Sequence, residues 1–518
     1  MNKRIRQSVA VGMITLLSVS AVLPAFGEEE AEKKRGWQQE EDGRWFYLDS
    51  NGDRKTDTWI RGTDRNHYYL DEDGYMATDT IIENGDKIYY VDHRGIRVAN
   101  RWASQSNWDN LCDQEVDTVW YYLGANGTAK RRENHAYHIR DEAGELQKYF
   151  FDSDGHMLSG WQQIENNDGN YDIYYLGDEN QGHVHTQWQY LIPPEGDDEE
   201  ILTDPAKAYD GYEMFYFGWD GKMKRSDECE LENGQRFGFD ENGVMITGWA
   251  PAVHPVNPNH EDSEDENFGV NRYYDQVTGI MVKGWLFSPD PDSDEGSDPH
   301  WFYCDKKDGY LYNEGGRDSD SVLGWKKIDG QVYFFDDHGR MVTGLISTGG
   351  NDIGDSPFME SEFDYLENTG VIGKGGNAKP AGIYYLSQNE ATLGQMAKGK
   401  RIRLSLDGDS ATYHFHNAGW AYANALVDDR IYGEDGAMLE SDSGWEVFVM
   451  ENDIYDKHDI REEDGELTVR DGAEPLIKTG ESVIINKTGK VKKKGSAKVE
   501  GVKYDVTDYV AIERPDED

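Results

Sequence analysis

Apolar residues in this chain come in short alternating runs separated by polar, glycine-containing turns, and the runs repeat. Trp45-Phe46-Tyr47-Leu48 sends alternate side chains to opposite faces, as a strand does, and aromatic residues favour strands. Asp49-Ser-Asn-Gly52 follows, where glycine accepts positive φ and the Asp side chain bonds nearby backbone, so the chain turns. Residues 36–59 read GWQQEEDGRWFYLDSNGDRKTDTW, 148–161 KYFFDSDGHMLSGW, 236–249 RFGFDENGVMITGW and 332–344 VYFFDDHGRMVTG. The shared unit is an aromatic run, an Asp-led turn closed by Gly, a second short strand often carrying Met, and then Gly-Trp. The pattern predicts a hairpin in which the aromatic strand folds back across the Asp turn onto the Met strand.

Further copies run HYYLDEDGYM (67–76), IYYVDHRG (88–95), WYYLGANG (120–127), FYFGWDGKM (215–223), RYYDQVTGIMVKGW (272–285) and WFYCDKKDG (301–309). A lone two-stranded hairpin is marginal in water, and a repeated one is stabilised by its neighbours. The fold class expected is all-β, a β-hairpin solenoid of about twenty-residue aromatic/Gly repeats. The organisation read from the chain is a signal peptide at 1–27, a charged linker at 28–36 and a repeat solenoid at 37–345. Degenerate repeats with Gly-rich and acidic inserts follow at 346–440, then a degenerate C-terminal β module with a Lys-rich tract at 441–518.

Composition sharpens this picture. The chain has 518 residues, 101 acidic against 52 basic, a net charge of −49, and only 37% hydrophobic residues. Such values suggest disorder, but 12% aromatics do not, so rings and not aliphatic side chains must build the core. The acidity argues against nucleic-acid backbones and anionic membranes as partners. Lys3, Arg4 and Arg6, the apolar run from Val9 to Val22, and Ala25-Phe26-Gly27 read as a secretory signal, so a secreted protein without a transmembrane anchor is expected. Cys112, Cys229 and Cys304 are too few and too far apart for a disulfide framework and are expected as small apolar residues on strands.

The units resemble the cell-wall-binding repeats of Gram-positive surface proteins, the choline-binding family. They are also similar to the glucan-binding repeats of glucansucrases and the glycan-binding repeats of large clostridial toxins. The resemblance implies ligand cages between successive hairpins, built from the Trp of Gly-Trp, the first residue of the aromatic run, and a neighbouring repeat. Mapped onto this sequence, the Gly-Trp positions are Trp37, Trp161, Trp249, Trp285 and Trp325, with Trp59 and Trp102 lacking the Gly. The first aromatic is Trp only at Trp45, Trp120 and Trp301. The best pairs are Trp37 with Trp45, closed by Trp59 or Tyr68, and Trp285 with Trp301, spread by the insert SPDPDSDEGSDPH. The ligand implied is choline on teichoic acid or a wall polysaccharide. The function implied is non-covalent wall attachment, with glucan or host-glycan binding as the alternative. Ring faces suit quaternary ammonium groups and sugar CH faces alike.

Other chemistry is weaker. His183-Val-His185 and His414-Phe-His416 have zinc-like spacing but no evident third ligand, and no metal or cofactor is expected. The Asp-x-Asp-Gly turns lack the twelfth-position Glu of a calcium loop. No His-Glu-x-x-His, Gly-x-Ser-x-Gly or phosphate-binding loop occurs, so no enzyme is expected. Acidic inserts at 195–200 and 261–266 read as solvated loops. The Lys tract from Lys487 to Lys503 reads as a charged edge strand.

Overall fold

The computed structural model describes residues 35–107, 111–112, 114–141, 143–194, 211–231, 233–250, 272–289, 298–312, 323–336, 338–348, 372, 378–406 and 409–515. The signal segment, most of the linker, both acidic inserts and most of 346–382 lie outside the described residues. Apart from a single 3-10 turn at Glu390–Thr392, the described elements are all strands. None of the described residues forms a helix long and apolar enough to cross a membrane.

The chain forms two compact units, one ending at Ile246 and one beginning at Thr247. In the first, consecutive antiparallel hairpins follow one another, from Gly36–Gln39 with Trp45–Leu48 to Asp227–Glu230 with Arg236–Phe239. The second opens with Gly248–Ala250 paired to Arg272–Tyr274 and continues to Lys400–Leu406 paired to Asp409–Phe415. It ends in larger sheets. One is five-stranded, in the order Trp445–Val449, Ser482–Asn486, Val510–Glu513, Val502–Thr507, Gly495–Val499. The hairpin solenoid expected from the repeats is thus present.

The hairpin itself differs from the expectation. The aromatic strand pairs backwards with the Gly-Trp strand, not forwards with the Met strand. Trp37 lies opposite Tyr47, Trp59 opposite Tyr69, Trp102 opposite Tyr122 and Trp285 opposite Tyr303. These pairs meet edge to face at centroid distances of 5.0–5.5 Å, an arrangement worth about 0.5–1.5 kcal/mol beyond the area it buries. After the Asp turn only one bridge closes, such as Leu70 to Met76 or Phe335 to Met341.

The Met strand is instead a seam between repeats. The Met76 N–H donates to the Trp45 carbonyl at 2.7 Å, Met157 to Trp120 at 2.8 Å, and Met341 to Trp301 at 2.7 Å. The same bond recurs where neither residue matches, as in Arg97 to His67 and Ala129 to Ile88. Each hairpin then lays its Trp face on the alternate face of the next aromatic strand. Trp59 meets Tyr89 at 5.0 Å, and Trp102 meets Tyr149 at 5.0 Å.

Turn acids act within the backbone. Asp49 Oδ1 accepts from the Asn51 and Asp53 N–H groups, and Asp152 Oδ1 from those of Asp154 and His156. His416 takes the same place in a later repeat, its Nδ1 accepting from the Ala418 N–H at 3.1 Å. His183 and His185 stack at 4.9 Å, and His185 Nδ1 engages Gln189 Oε1. Of the Lys tract, only Lys498 lies in an edge strand of the five-stranded sheet. Lys487 to Lys494 precede it.

Two predictions follow from turn and thiol packing. Gly74 sits at φ +79°, and a Cβ there would lie 2.8 Å from the Lys55 carbonyl oxygen, whereas Gly85, at φ +61°, has open space. Both Ala substitutions incur the left-handed penalty of about 1–2 kcal/mol. Gly74→Ala should cost clearly more in denaturant unfolding, and equal losses would contradict the packing. Cys229 and Cys304 are buried strand residues whose thiols burial pushes up to about 11 and about 12, while Cys112 is half-buried outside a strand. Native protein treated with a thiol reagent near pH 8 should therefore show one fast thiol, lost in Cys112→Ser.

Candidate functional site

Each candidate site draws on two hairpins, and at three places the same four residue types hold the same four stations. Two come from one hairpin: the Trp of its first strand and a Trp leading its aromatic strand. The other two come from the next repeat: the second residue of its aromatic strand and the seam residue. The sets are Trp37, Trp45, Tyr68 and Met76; Trp102, Trp120, Tyr149 and Met157; and Trp285, Trp301, Tyr333 and Met341. Every repeat led by Trp is followed by a Tyr at the facing position and a Met at the seam.

The third set shows the geometry most fully. Trp285 and Trp301 stand at 87° with centroids 6.3 Å apart, and Trp285 meets Tyr333 at 4.7 Å. Met341 packs in the same cluster as both indoles. The insert does not spread this pair, because it joins the tips of two paired strands, Gly284–Ser288 and His300–Cys304. Exposed Phe287, opposite Trp301, covers one side of that ring at 5.0 Å. In the second set, Trp102, Trp120 and Tyr122 pack with Tyr149 and Met157.

In the first set Trp37 is edge-on to Tyr47 and Tyr68 at 5.5 and 5.3 Å. Trp45 lies opposite Gln39 on the same face and is 39% exposed, the most open of the three leading Trps. Of the two closing residues expected, Tyr68 is the one in place, and Trp59 belongs to the next repeat pair. The Tyr68 phenol donates to Asp64 Oδ2 at 2.7 Å, and burial together with that bond pushes it above its ordinary range. Burial does the same for Tyr149 and Tyr303. Tyr68 and Tyr149 therefore stay neutral, with their electron-rich ring faces intact.

Elsewhere the set is broken. Trp161 is buried against Tyr175 and Phe215, its indole N–H donates to the Ile192 carbonyl, and its strand partner is led by Ile173. Trp249 packs between Tyr273 and Phe302 in a repeat led by Arg272. The Lys379 ammonium lies 4.7 Å over Trp325. The Arg97 guanidinium lies over Trp59.

The sequence places Trp102 at a Gly-Trp position without the Gly, and the Gly-Trp pattern misses Trp188. Gly-Trp marks a left-handed backbone residue before the strand, and this chain also supplies it otherwise. Asn100 at φ 53° stands two residues before Trp102, Asp57 at φ 49° two before Trp59, and Gln187 at φ 62° one before Trp188. Asp or Asn two residues ahead of Trp is therefore an equivalent signal.

Comparison with known proteins agrees with the repeats. The choline-binding repeat families match residues 64–96 and 322–353, and a cell wall binding repeat family matches residues 36–53. No curated protein sequence matches the chain significantly. Among solved structures it is similar to the modular autolysin LytC from Streptococcus pneumoniae, at 18% identity and a TM-score of 0.33. That match covers 62% of this chain and 56% of LytC, so the chain spans just over half of that protein's length. CbpJ from Streptococcus pneumoniae matches over 78% of this chain and all of its own, at 17% identity and a TM-score of 0.28. The choline-binding domain of CbpL from the same species matches over 42% of this chain and all of its own, at 21% and 0.24. Likenesses this low carry nothing about ligand or activity. The three family matches fall within the hairpin array described above. At these three stretches the chain carries repeats of the choline-binding, cell-wall-binding type.

Proposed function

We propose that this chain is a non-catalytic, secreted surface protein that holds wall polymer through the quaternary ammonium of choline, in the three complete sets of rings. The observation that carries this is the joint occurrence of Trp, Trp, Tyr and Met at those three places alone among the described repeats. Trp285 and Trp301 stand at 87° with centroids 6.3 Å apart, so a cation lodged between them falls within the ~6 Å reach of a cation–π contact. The −49 charge of the chain favours a cationic group over an anionic one, within the ~8 Å screening length at physiological salt. The secreted and non-catalytic parts of the reading rest on the N-terminal segment and on the lack of a recognised catalytic motif. Glycan binding is a second reading, favoured by Tyr190 and Tyr212. These two exposed rings lie side by side, 5.2 Å apart, as a platform for sugar CH faces.

Equilibrium dialysis of the full chain with choline and with a glucan oligosaccharide separates the two readings. Three choline equivalents are expected, and saturation by glucan alone would favour the second reading. Trp301→Ala should remove one equivalent, a loss of about 1–2 kcal/mol at that site, with little effect on unfolding. Phe302→Ala, which deletes a fully buried ring, should instead cost about 3–5 kcal/mol of stability. Equal unfolding by both would reject Trp301 as a ligand wall. On cell walls, choline should elute the protein. A lysis band from purified protein in a wall zymogram would end the non-catalytic reading.

A further inference from the structure

Trp59 has a ring partner in the next repeat, as Trp37, Trp102 and Trp285 do, but the residue on its seam is a cation. Arg97 holds the same station as the three closing Met residues. Its N–H donates to the His67 carbonyl at 2.8 Å, as Met76 donates to Trp45 at 2.7 Å. The following turn glycine packs on it in the same way. A Cβ at Gly127 would lie 3.0 Å from Arg97 Nε, and one at Gly95 would lie 2.8 Å from Met76 Sδ.

From that station the guanidinium reaches 5.6 Å from the Trp59 ring centroid and 5.7 Å from that of Tyr89. Both distances fall within cation–π range. Among the described residues Arg97 forms no ion pair, in a chain with 101 acidic side chains. The Trp59 indole N–H is buried without a partner, so its polar edge is not engaged either. What holds this charge is the pair of ring faces.

We propose that Arg97 is an internal ligand: its guanidinium takes the place of an external quaternary ammonium between Trp59 and Tyr89, and so closes this repeat pair to wall polymer. The inference rests on the cation-binding reading of the three Trp-led sets. The device recurs from another part of the chain at Trp325. There the Lys379 ammonium sits 4.7 Å over the ring and donates to the Ala418 carbonyl at 3.4 Å, in a repeat led by Val332.

The test rebuilds the missing set in the full chain and counts choline by equilibrium dialysis. His67→Trp alone supplies the leading ring but leaves Arg97 in place, and should stay at the wild-type number. His67→Trp combined with Arg97→Met should bind one equivalent more. An added equivalent in His67→Trp alone would overturn the proposal. So would an unchanged number in a double variant whose circular dichroism and unfolding match wild type. Wild-type protein that bound no choline would defeat the cage reading, and a separate measurement then decides on Arg97. With arginine labelled in the full chain and its signals assigned by Arg97→Lys, the Arg97 side-chain methylene resonances should be shifted upfield by the two rings. They should return to ordinary positions in Trp59→Leu. Unshifted resonances in wild type would overturn the proposal whatever the protein binds.

Discussion

The structure depends on one backbone hydrogen bond, made in most of the described repeats, from a residue just after the turn to the leading carbonyl of the preceding aromatic strand. Two-stranded hairpins are marginal alone, and this bond ties each to its neighbour at a fixed offset. The Trp face of one hairpin is thereby set against the alternate face of the next. Because both partners are main-chain groups, the bond places no demand on the side chains at either end. Trp45 and Met76 make it, and so do Ile88 and Ala129. The leading and seam positions are free to carry chemistry.

That freedom explains what the sequence revealed and what it hid. The period, the strands and the Asp turns were legible because each needs particular residues: Asp to accept amides at Asp49 and Asp152, and Gly for positive φ at Gly74. The strand partner was not legible. An aromatic run has a polar turn and a strand-like segment on both sides, and the pairing runs to the earlier one even where Ile81, not Trp, stands opposite Tyr90. The Trp37 and Trp45 pairing, closed by Trp59 or Tyr68, was implied by the family resemblance of the repeats. Trp188 was not legible, because Gln187 supplies the left-handed residue that Gly supplies before Trp37. The Met at each seam belongs to a different repeat from the Trps it follows, and only the seam shows which.

In the proposed reading, binding chemistry reduces to which side chains occupy the leading and seam stations of a shared frame. Trp and Met leave facing rings neutral and unfilled by charge. Arg97 and Lys379 bring a cation of their own over the ring. Ile173 and Val332 give up the leading wall and leave the Trp to the core. On the proposed reading the same ring pair serves as ligand wall, internal contact or packing according to its neighbours. Counting Trp residues therefore overstates the number of sites.

The C-terminal part of the chain separates frame from chemistry most clearly. There the rings give way to an aliphatic core in which Val483, Ile484 and Ile485 are fully buried. The seam nevertheless persists. The Val491 N–H donates to the Asp429 carbonyl at 2.9 Å, Asn486 Oδ1 accepts from the Thr488 and Lys490 N–H groups, and a Cβ at Gly489 would lie 2.7 Å from Met438 Sδ. Turn, glycine and seam keep their relation with no Trp–Tyr pair across the strands. If ring recognition were what positioned the repeats, this arrangement should have dissolved where the rings end. It survives because the backbone positions the repeats, and the rings are placed by it.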